Sequence, residues 1–396
     1  MRRLRLLTAG ESHGPAVSGV LEGLPYGLRI STANVNRDLR RRQHGYGSGR
    51  RMLIEQDRVV WMGGIRFGQT LGSPLAFRIE NRDFENWKDR MTAEALPARG
   101  RPKAVTLARP GHADLAGAVK YGADDVRDVL ERASARSTAV RVLAGAVCRQ
   151  LLATVGVQIW SFVEQIGPIR AYPDAQDALE CVPAGWPAAD LRSPGPLRCP
   201  DPAAEALMIQ EIDRAAGEGD SIGGAFVVVA TGLPMGLGSA AEWDTRLDGA
   251  LAGALMAIPA VKAVGIGAGF DVAARRGSNT HDAVLSEGVG WERGTNRAGG
   301  IEGGMSNGMP IVVHAAVKPV PTMRKPLDSV DIVTGESGRA HIERSDVAIM
   351  PRAAIVGEAM TALVLADALL TSFGGDTIGD LRAAVARRRR REKRPH

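Results

Sequence analysis

The chain has 396 residues, enough for one large domain or for two to three ordinary ones with a substantial core. Its 50 basic and 44 acidic residues give a net charge of +6. Segment 387–394 alone holds seven basic residues and one acidic residue, so the rest of the chain is neutral. This distribution argues against nucleic-acid binding by the main part of the chain. No apolar run approaches the roughly 20 residues of a membrane span, and no signal-peptide core is visible. The three scattered cysteines, Cys148, Cys181 and Cys199, indicate neither a disulfide framework nor a zinc site. We therefore expect a cytoplasmic protein.

The first motif along the chain is Gly10-Glu-Ser-His-Gly14, which fits the G-x-S-x-G pattern of serine hydrolases. A hydrolase needs a strand before this motif and a helix after it. Here residues 15–25 alternate small with apolar side chains, which predicts a strand that ends in a turn. We therefore expect His13 to be the working group, with Ser12 as its hydrogen-bonding neighbour, rather than a serine nucleophile.

Apolar periodicity predicts a mixed α+β chain. Alternating residues indicate strands at 57–62 and 75–80, separated by glycine turns. Because strands come in pairs between helices, without regular β-α-β alternation, we expect antiparallel sheets with helices packed on them. Residues at helical spacing predict helices over 32–43, with Ser31 or Thr32 as its cap, and over 124–153, 203–216, 243–258 and 353–373.

No linker or internal repeat divides the sequence, so we predict one catalytic domain over residues 1–386. Within it, 166–202 is rich in proline and alanine and poor in periodicity, which predicts a long surface excursion. Residues 387–396 form a basic tail that we expect to be disordered and solvated.

Glycine surrounds a second histidine, His112, in the segment Arg109-Pro-Gly-His-Ala-Asp114. Glycine beside a functional side chain lets the backbone come close to a ligand. Segment 40–51 places several arginines around glycine turns, so they could converge on one polyanion instead of forming a solvated face.

Later segments add groups that suit an anionic ligand. Arg132 and Arg136 stand four residues apart, which places both on one helical face, with Ser134 between them. The glycine-rich stretch 299–308 offers backbone amides for a phosphate nest, and 343–346 adds carboxylates beside an arginine. Each segment alone is more typical of a surface ion pair, but together they predict a site with two histidines, many cations and a phosphate-binding loop.

In this order, these segments resemble the chorismate synthase family. The resemblance implies conversion of a small molecule, 5-enolpyruvylshikimate 3-phosphate, into chorismate and phosphate, with reduced FMN as cofactor and no net redox change. It also implies a β-α-β sandwich in which antiparallel sheets enclose a helical layer, a homotetramer, and a flavin reduced by an external flavin reductase or by an intrinsic NADP-dependent activity. The matching stretches, which leave out 166–202 and the tail, are 8–14, 109–114, 132–139, 277–282, 296–308, 318–322 and 344–346.

The same resemblance assigns roles to individual residues. His13 would protonate the departing phosphate, His112 would stabilise or protonate the reduced flavin, and Asp346 would assist proton removal at the flavin N5. A histidine suits either role because its ordinary pKa lies close to working pH. The implied FMN contacts are Arg132, Ser134, Ala260, Gly303, Lys318, Thr322 and Arg344, the implied substrate contacts are Ser12, Arg42, Arg109 and Arg136, and no metal ligand is implied.

The sequence departs from the family pattern in three places. Ser48 stands where the family commonly has an arginine in a Gly-Tyr-Gly-Arg-Gly turn, and Arg50 or Arg51 could substitute for it. Ala133 replaces the first serine of an Arg-Ser-Ser segment, which removes one hydroxyl. Pro259 precedes Ala260 where relatives often have Asn or Gln.

Three other functions remain as alternatives at this point. The segment 265–269 imitates a dinucleotide fingerprint but lacks its spacing. A metal-assisted phosphate-releasing enzyme could use His112 with Asp114, or His281 with Asp282. A nucleic-acid-binding protein could act through the basic tail, with a steep salt dependence that its deletion would abolish.

Overall fold

The computed structural model describes residues 3–47, 56–172, 195–286, 291–343 and 346–393. A first sheet consists of β1 (Arg5–Ala9), β2 (Ala16–Glu22), β3 (Val59–Gly63) and β4 (Leu75–Glu80), in the order β1-β2-β4-β3. A second sheet consists of β5 (Gln158–Ile166), β6 (Ile169–Arg170), β7 (Gly224–Thr231), β8 (Val261–Ile266) and β9 (Ile311–Val317), in the order β8-β9-β7-β5-β6. All neighbouring strands in both sheets are antiparallel.

The α-helices and smaller elements connect and flank these sheets. The α-helices of the described ranges are α1 (Thr32–Gln43), α2 (Asp114–Tyr121), α3 (Arg127–Ala133), α4 (Thr138–Ala153), α5 (Pro202–Glu218), α6 (Leu247–Met256), α7 (Met350–Phe373) and α8 (Ile378–Glu392). Short antiparallel hairpins pair 65–66 with 69–70, 284–285 with 292–293, 301–302 with 305–306 and 328–330 with 337–339. Single turns of 3-10 helix lie at 84–86, 98–100, 135–137, 243–245 and 277–279, and a longer one spans 269–274.

Sheet and helix faces follow the sequence pattern. In β4, Leu75, Phe77 and Ile79 are fully buried, while the residues between them face outward. Helix α1 occupies the predicted residues, and the side chain of its N-cap, Ser31, accepts a hydrogen bond from the backbone of Asn34. The mixed α+β class with antiparallel sheets is therefore confirmed.

Close backbone approaches bring the central helices against each other and against the sheets. A Cβ on Gly145 of α4 would lie 2.4 Å from the Cα of Ala359 of α7. Helix α4 also packs on β2, and α7 packs on β5 and β7.

Helix α7 is long and apolar enough to cross a membrane by length and composition, contrary to the expectation that no apolar run approaches that size. Since 72% of its most apolar window is buried inside the molecule, it serves here as a core helix.

The structure corrects the prediction of one helix over 124–153. The chain leaves the helical conformation at Ser134, whose ψ is 146°, between α3 and α4. The Ser134 hydroxyl instead accepts a hydrogen bond from the backbone of Arg136, because a serine side chain competes for backbone groups at helix starts. Arg132 and Arg136 therefore do not share a helical face.

Residues 166–202 are only partly the surface excursion that was predicted. Residues 173–194 lie outside the described residues, but Leu197 is fully buried and Cys199 is buried. The backbone amides of Leu197 and Cys199 both donate to the carboxylate of Glu205 in α5. The end of the segment therefore joins the core, because Leu197 and Cys199 are buried and their backbone amides have a hydrogen-bond acceptor in Glu205. Sequence periodicity does not reveal such contacts.

The basic tail is not a disordered extension over the residues that the structure describes. Thr377 and Asp380 form a capping box at the start of α8, which continues through the arginine run to Glu392. Arg389 donates to the carbonyls of Val155 and Gly232, both at 2.6 Å. The prediction was wrong because free carbonyls at loop and helix ends attract guanidinium groups, which a charge count along the sequence does not reveal.

We expect Arg389→Ala to lower the free energy of unfolding by about 1–3 kcal/mol, because it removes charge-assisted hydrogen bonds to two backbone carbonyls. Arg390→Ala is the matched control, since Arg390 is exposed and adjacent in the same helix. Urea unfolding of both variants at equal protein concentration measures the difference. Equal midpoints would show that α8 is not held in place by Arg389.

Candidate active site

The loop between β1 and β2 presents His13 and is held from α3. The backbone N–H of Ser12 donates to the carbonyl of Glu131, and that of His13 donates to the Glu131 carboxylate at 2.9 Å. The ring Nδ1 of His13 lies 2.9 and 3.0 Å from the two carboxylate oxygens of the same residue. From the other side, the amide of Asn81 donates to the carbonyls of Ser12 and Gly14.

An aromatic ring covers one face of the His13 imidazole. The Trp87 ring stacks on it with the ring centroids 3.8 Å apart. Arg127 lies over the same tryptophan, 5.1 Å from its ring centroid, and donates to the Glu131 carboxylate at 2.9 Å. Burial alone would raise the pKa of Glu131, but the hydrogen bonds from His13 and Arg127 hold that pKa below its usual range. Glu131 is therefore a buried anion against the histidine.

A second histidine with a carboxylate partner lies at the start of α2. The Nδ1 of His112 contacts the carboxylate of Asp114, the first residue of that helix. Arg109 donates to the same carboxylate from its Nε at 2.8 Å and from its NH2 nitrogen at 3.2 Å. Burial would raise the pKa of Asp114, but its hydrogen bonds with His112 and Arg109 hold that pKa well below its usual range.

Residues of the 318–343 region complete the surroundings of His112. Lys318 donates to the carbonyl of Gly111, and Arg109 donates to the hydroxyl of Thr322 at 3.3 Å. The carboxylate of Glu343 lies 3.5 Å from Arg109 and 3.6 Å from Arg127, so it bridges the two histidine loops. His13 and His112 thus belong to one connected set of charged groups.

A buried cluster of two cations and one carboxylate lies next to this set. Asp57 accepts from Arg42 at 2.8 Å and from Arg136 at 2.5 Å. All three side chains are buried, and both guanidinium groups contact the Asp57 carboxylate. Burial alone would raise the pKa of Asp57, but Arg42 and Arg136 hold it below its usual range. The Nε of Arg42 is buried without a hydrogen-bond partner among the described residues, which favours an anionic ligand here.

Ser134 links the two clusters. Its hydroxyl donates to the hydroxyl of Ser12 at 3.0 Å and accepts from the backbone of Arg136. The His13 loop, the His112 loop and the Arg42 cluster therefore form one continuous polar region with hydroxyl, imidazole, guanidinium and carboxylate groups.

A model of the family described as chorismate synthase matches residues 4–370. The chorismate synthase of Desulforudis audaxviator (strain MP104C) is 54% identical over 381 residues, covering 96% of this chain and 95% of that protein. The chorismate synthase of Symbiobacterium thermophilum is 52% identical over 380 residues, covering 95% of this chain and 96% of the relative. A crystal structure of a chorismate synthase aligns with a TM-score of 0.78 at 38% identity and covers 99% of both chains.

The chain belongs to the chorismate synthase family. The enzyme interpretation, a chorismate synthase-type lyase of aromatic biosynthesis, is thereby confirmed over metal-assisted phosphate release and over nucleic-acid binding. The serine hydrolase alternative fails on local structure as well, because the strand β2 follows Gly14 where a hydrolase has a helix.

Several residues that the family resemblance singled out lie at the margins of this polar region. Arg132 donates to the carbonyls of Thr8 and Gly10, both at 3.0 Å, at the start of the His13 loop. Asp346 pairs with Arg352, a cation whose charge acts on Arg42. Arg344 and the turn residues Ser48, Arg50 and Arg51 lie outside the described residues.

Ala260 and Gly303 both have a positive φ, so their backbone conformation is their most informative feature. Ala260 has a φ of 70°, uncommon for a residue with a Cβ, and its carbonyl accepts from the backbone of Lys318 at 2.9 Å. Gly303 and Gly304, with φ of 57° and 81°, form the two-residue turn of the 301–306 hairpin. A Cβ on Gly303 would meet nothing within 4 Å, so its outer side is open.

Within the described ranges, no cluster of three or more His, Cys, Asp or Glu side chains is arranged to hold a metal ion. Asp282, one of the metal-ligand alternatives, instead accepts from the backbone amides of Arg297 and Ala298, and so shapes the loop before the glycine-rich hairpin.

Sequence reasoning missed the groups that hold the histidines and arginines. These are Asp57, Asn81, Trp87, Arg127, Glu131 and Glu343. Two of them had a signal: Glu343 lies in the 343–346 segment already singled out, and Glu131 directly precedes the 132–139 stretch of the family resemblance. No local signal marks Asp57, Asn81, Trp87 or Arg127, since a lone polar residue or tryptophan in a polar stretch is most often a surface residue.

Proposed function

We propose that the polar region around His13, His112 and Arg42 binds 5-enolpyruvylshikimate 3-phosphate and eliminates its phosphate to give chorismate. The observation that carries this proposal is that both histidines have a buried carboxylate on Nδ1 and are joined through Glu343 and the arginines. Such an arrangement suits proton transfer beside a multiply charged anion.

The substrate carries two carboxylates and a phosphate, so its binding needs cations that are held in place beforehand. Arg42 and Arg136 fit this role, because the Asp57 carboxylate accepts from both guanidinium groups and so fixes their positions before the substrate binds. Asp114 holds Arg109 through its Nε and NH2, and the Arg109 NH1 lies beside Thr322 and Glu343. We propose that Arg109, held in this way, contributes positive charge to the binding of the substrate. Ser12 adds a hydroxyl at the junction with Ser134.

We assign the protons to the two histidines. His13 gives a proton to the departing phosphate, and the Glu131 anion stabilises the ring while it is charged. His112 holds a proton beside the cofactor, with Asp114 supporting its ring in the same way. Asp346 would assist proton removal at the flavin N5, and its pairing with Arg352, whose charge acts on Arg42, supports a role beside these groups.

The cofactor that the family resemblance implies is reduced FMN, and the residues present fit it. Lys318, Thr322 and Ser134 supply a cation and hydroxyls, and the open outer side of Gly303 leaves room for close approach of a phosphate or a ring. Arg132 and Ala260 flank these groups, and Arg344 follows Glu343 in the chain. Reduced FMN supplies the electron density that assists loss of the phosphate, without net oxidation of the substrate.

We also propose a cytoplasmic homotetramer with a β-α-β sandwich fold. The packing of α4 on the first sheet and of α7 on the second supports a helical layer between two sheets. The close relatives are bacterial biosynthetic enzymes, which supports the location.

The experiment is anaerobic incubation of the protein with the enolpyruvyl substrate and chemically reduced FMN, followed by measurement of phosphate and chorismate. We expect stoichiometric release of both with the flavin unchanged, and no product with oxidised FMN alone. A parallel reaction with oxidised FMN and NADPH distinguishes an intrinsic reductase from an external one. Robust turnover in air with oxidised flavin and no reductant would contradict the cofactor assignment.

A further inference from the structure

We infer that Glu131 is a positioning residue for His13: it fixes the orientation and the tautomer of the imidazole so that the exchanged proton is carried on Nε2. This inference deepens the proposed function, because it rests on the assignment of proton transfer to His13.

Contacts to Glu131 fix both the backbone and the ring of His13. One carboxylate accepts the His13 backbone N–H at 2.9 Å and lies within 3.0 Å of the ring Nδ1 through both of its oxygens. The ring therefore has no freedom to turn about its χ angles without losing a hydrogen bond to a buried acceptor. The Glu131 side chain is only 2% exposed, so water cannot replace a lost partner.

Glu131 is itself anchored independently of the histidine. Arg127, one turn earlier in α3, donates to its carboxylate at 2.9 Å, and its own carbonyl accepts from the backbone of Ser12 at 3.0 Å. Trp87 then closes one face of the His13 ring by stacking. Helix α3 therefore holds the His13 ring through Glu131, while Arg132 of the same helix holds the start of the loop.

The charge on Glu131 decides which nitrogen exchanges the proton. An anionic acceptor at Nδ1 keeps a hydrogen on that nitrogen in both the neutral and the charged ring, so gain or loss of a proton occurs at Nε2. Among the described residues, the charged groups around the ring include Glu131 itself, Arg127 beside it and Glu343, which pairs with Arg127. Phosphate protonation requires this fixed donor nitrogen, since a ring that flips would present the wrong one.

The first test is the ¹⁵N spectrum of histidine-labelled protein without substrate, with the His13 signals assigned from His13→Gln. We expect the neutral ring of the wild type to carry its proton on Nδ1, and the Glu131→Ala ring to shift toward the Nε2–H tautomer. Glu164→Gln is the matched control, because Glu164 makes the same kind of contact, 3.1 Å from His314 Nδ1, outside this site. An unchanged His13 tautomer in folded Glu131→Ala would overturn the inference whether or not His13 is catalytic.

The second test is kinetic and separates positioning from a general loss of structure. Glu131→Ala should lower kcat roughly 10²-fold with little change in KM, because Glu131 acts through the ring rather than on the substrate. Glu131→Gln, which keeps a carbonyl acceptor and the side-chain shape, should recover part of that loss, and it serves in place of Glu131→Ala if that variant does not fold. The double variant His13→Ala/Glu131→Ala should be no slower than His13→Ala, because a positioning residue has nothing left to position.

Additive losses in that double variant would overturn the inference, since they would mean that Glu131 acts independently of His13. Failure of the proposed function gives a different pattern: His13→Ala would keep its turnover, while the tautomer would still depend on Glu131.

Discussion

Replacing His13 by alanine is expected to reduce the chemical step by roughly 10²–10⁴-fold, the loss typical of a removed general acid or base. The ring lies in a turn between β1 and β2 with its Nδ1 on Glu131, and not in an apolar stripe, so its removal should leave the fold intact. Single-turnover phosphate release with reduced FMN measures the step, and circular dichroism with thermal unfolding checks the fold. His112→Ala should show a loss of the same order, because His112 has the equivalent partner in Asp114.

The matched control for both variants is His314→Ala. His314 also pairs with a carboxylate, Glu164, but it lies on β9 in the second sheet, and this ion pair joins it to none of the residues assigned to the site. Its replacement should leave turnover within about twofold of the wild type once stability is accounted for. Full turnover in His13→Ala with normal flavin affinity would remove His13 from the mechanism.

Glu358→Ala is expected to lower the free energy of unfolding by about 3–5 kcal/mol, because it removes the carboxylate that pairs with Arg198 and leaves Arg41 and Arg149 to share only Asp38. Glu358 is 1% exposed and accepts from Arg41 at 2.7 and 2.8 Å and from Arg149 at 2.9 Å. Ser161 and Arg198 complete the network at 2.7 and 3.4 Å. Urea unfolding at a fixed protein concentration measures the change.

The pH dependence of this network has a definite sign. Burial would raise the pKa of Glu358, but Arg41 and Arg149 hold it at about 2. A carboxyl whose pKa is lowered on folding stabilises the folded state above its unfolded pKa, and that stabilisation is lost as the pH falls toward 2.

The control for Glu358→Ala is Glu218→Ala, at an exposed position of α5, which should lower the free energy of unfolding by less than about 0.5 kcal/mol. A Glu358→Ala variant as stable as this control would show that the network contributes nothing.

Sequence periodicity predicted the elements whose pattern is local. The bounds of α1 and β4 were predicted to the residue, because capping by Ser31 and strict alternation from Leu75 to Glu80 are written in neighbouring residues. The predicted helix over 124–153 failed at Ser134 for a reason that is also local, but the competing hydrogen bond to Arg136 becomes favourable only once the turn is packed. Helix α8 was missed because a run of arginines favours solvent until backbone carbonyls lie within reach.

Composition and motif order by themselves determined the chemistry of this protein: two histidines in glycine loops, arginines in excess near them, and the family to which the chain belongs. The partners of those groups were decided only by the tertiary structure. Glu131 is 118 residues from His13, and Asp57 is 79 residues from Arg136. A carboxylate becomes the partner of a particular cation or imidazole only when folding removes both from water, because an exposed ion pair is too weak to select one partner among many.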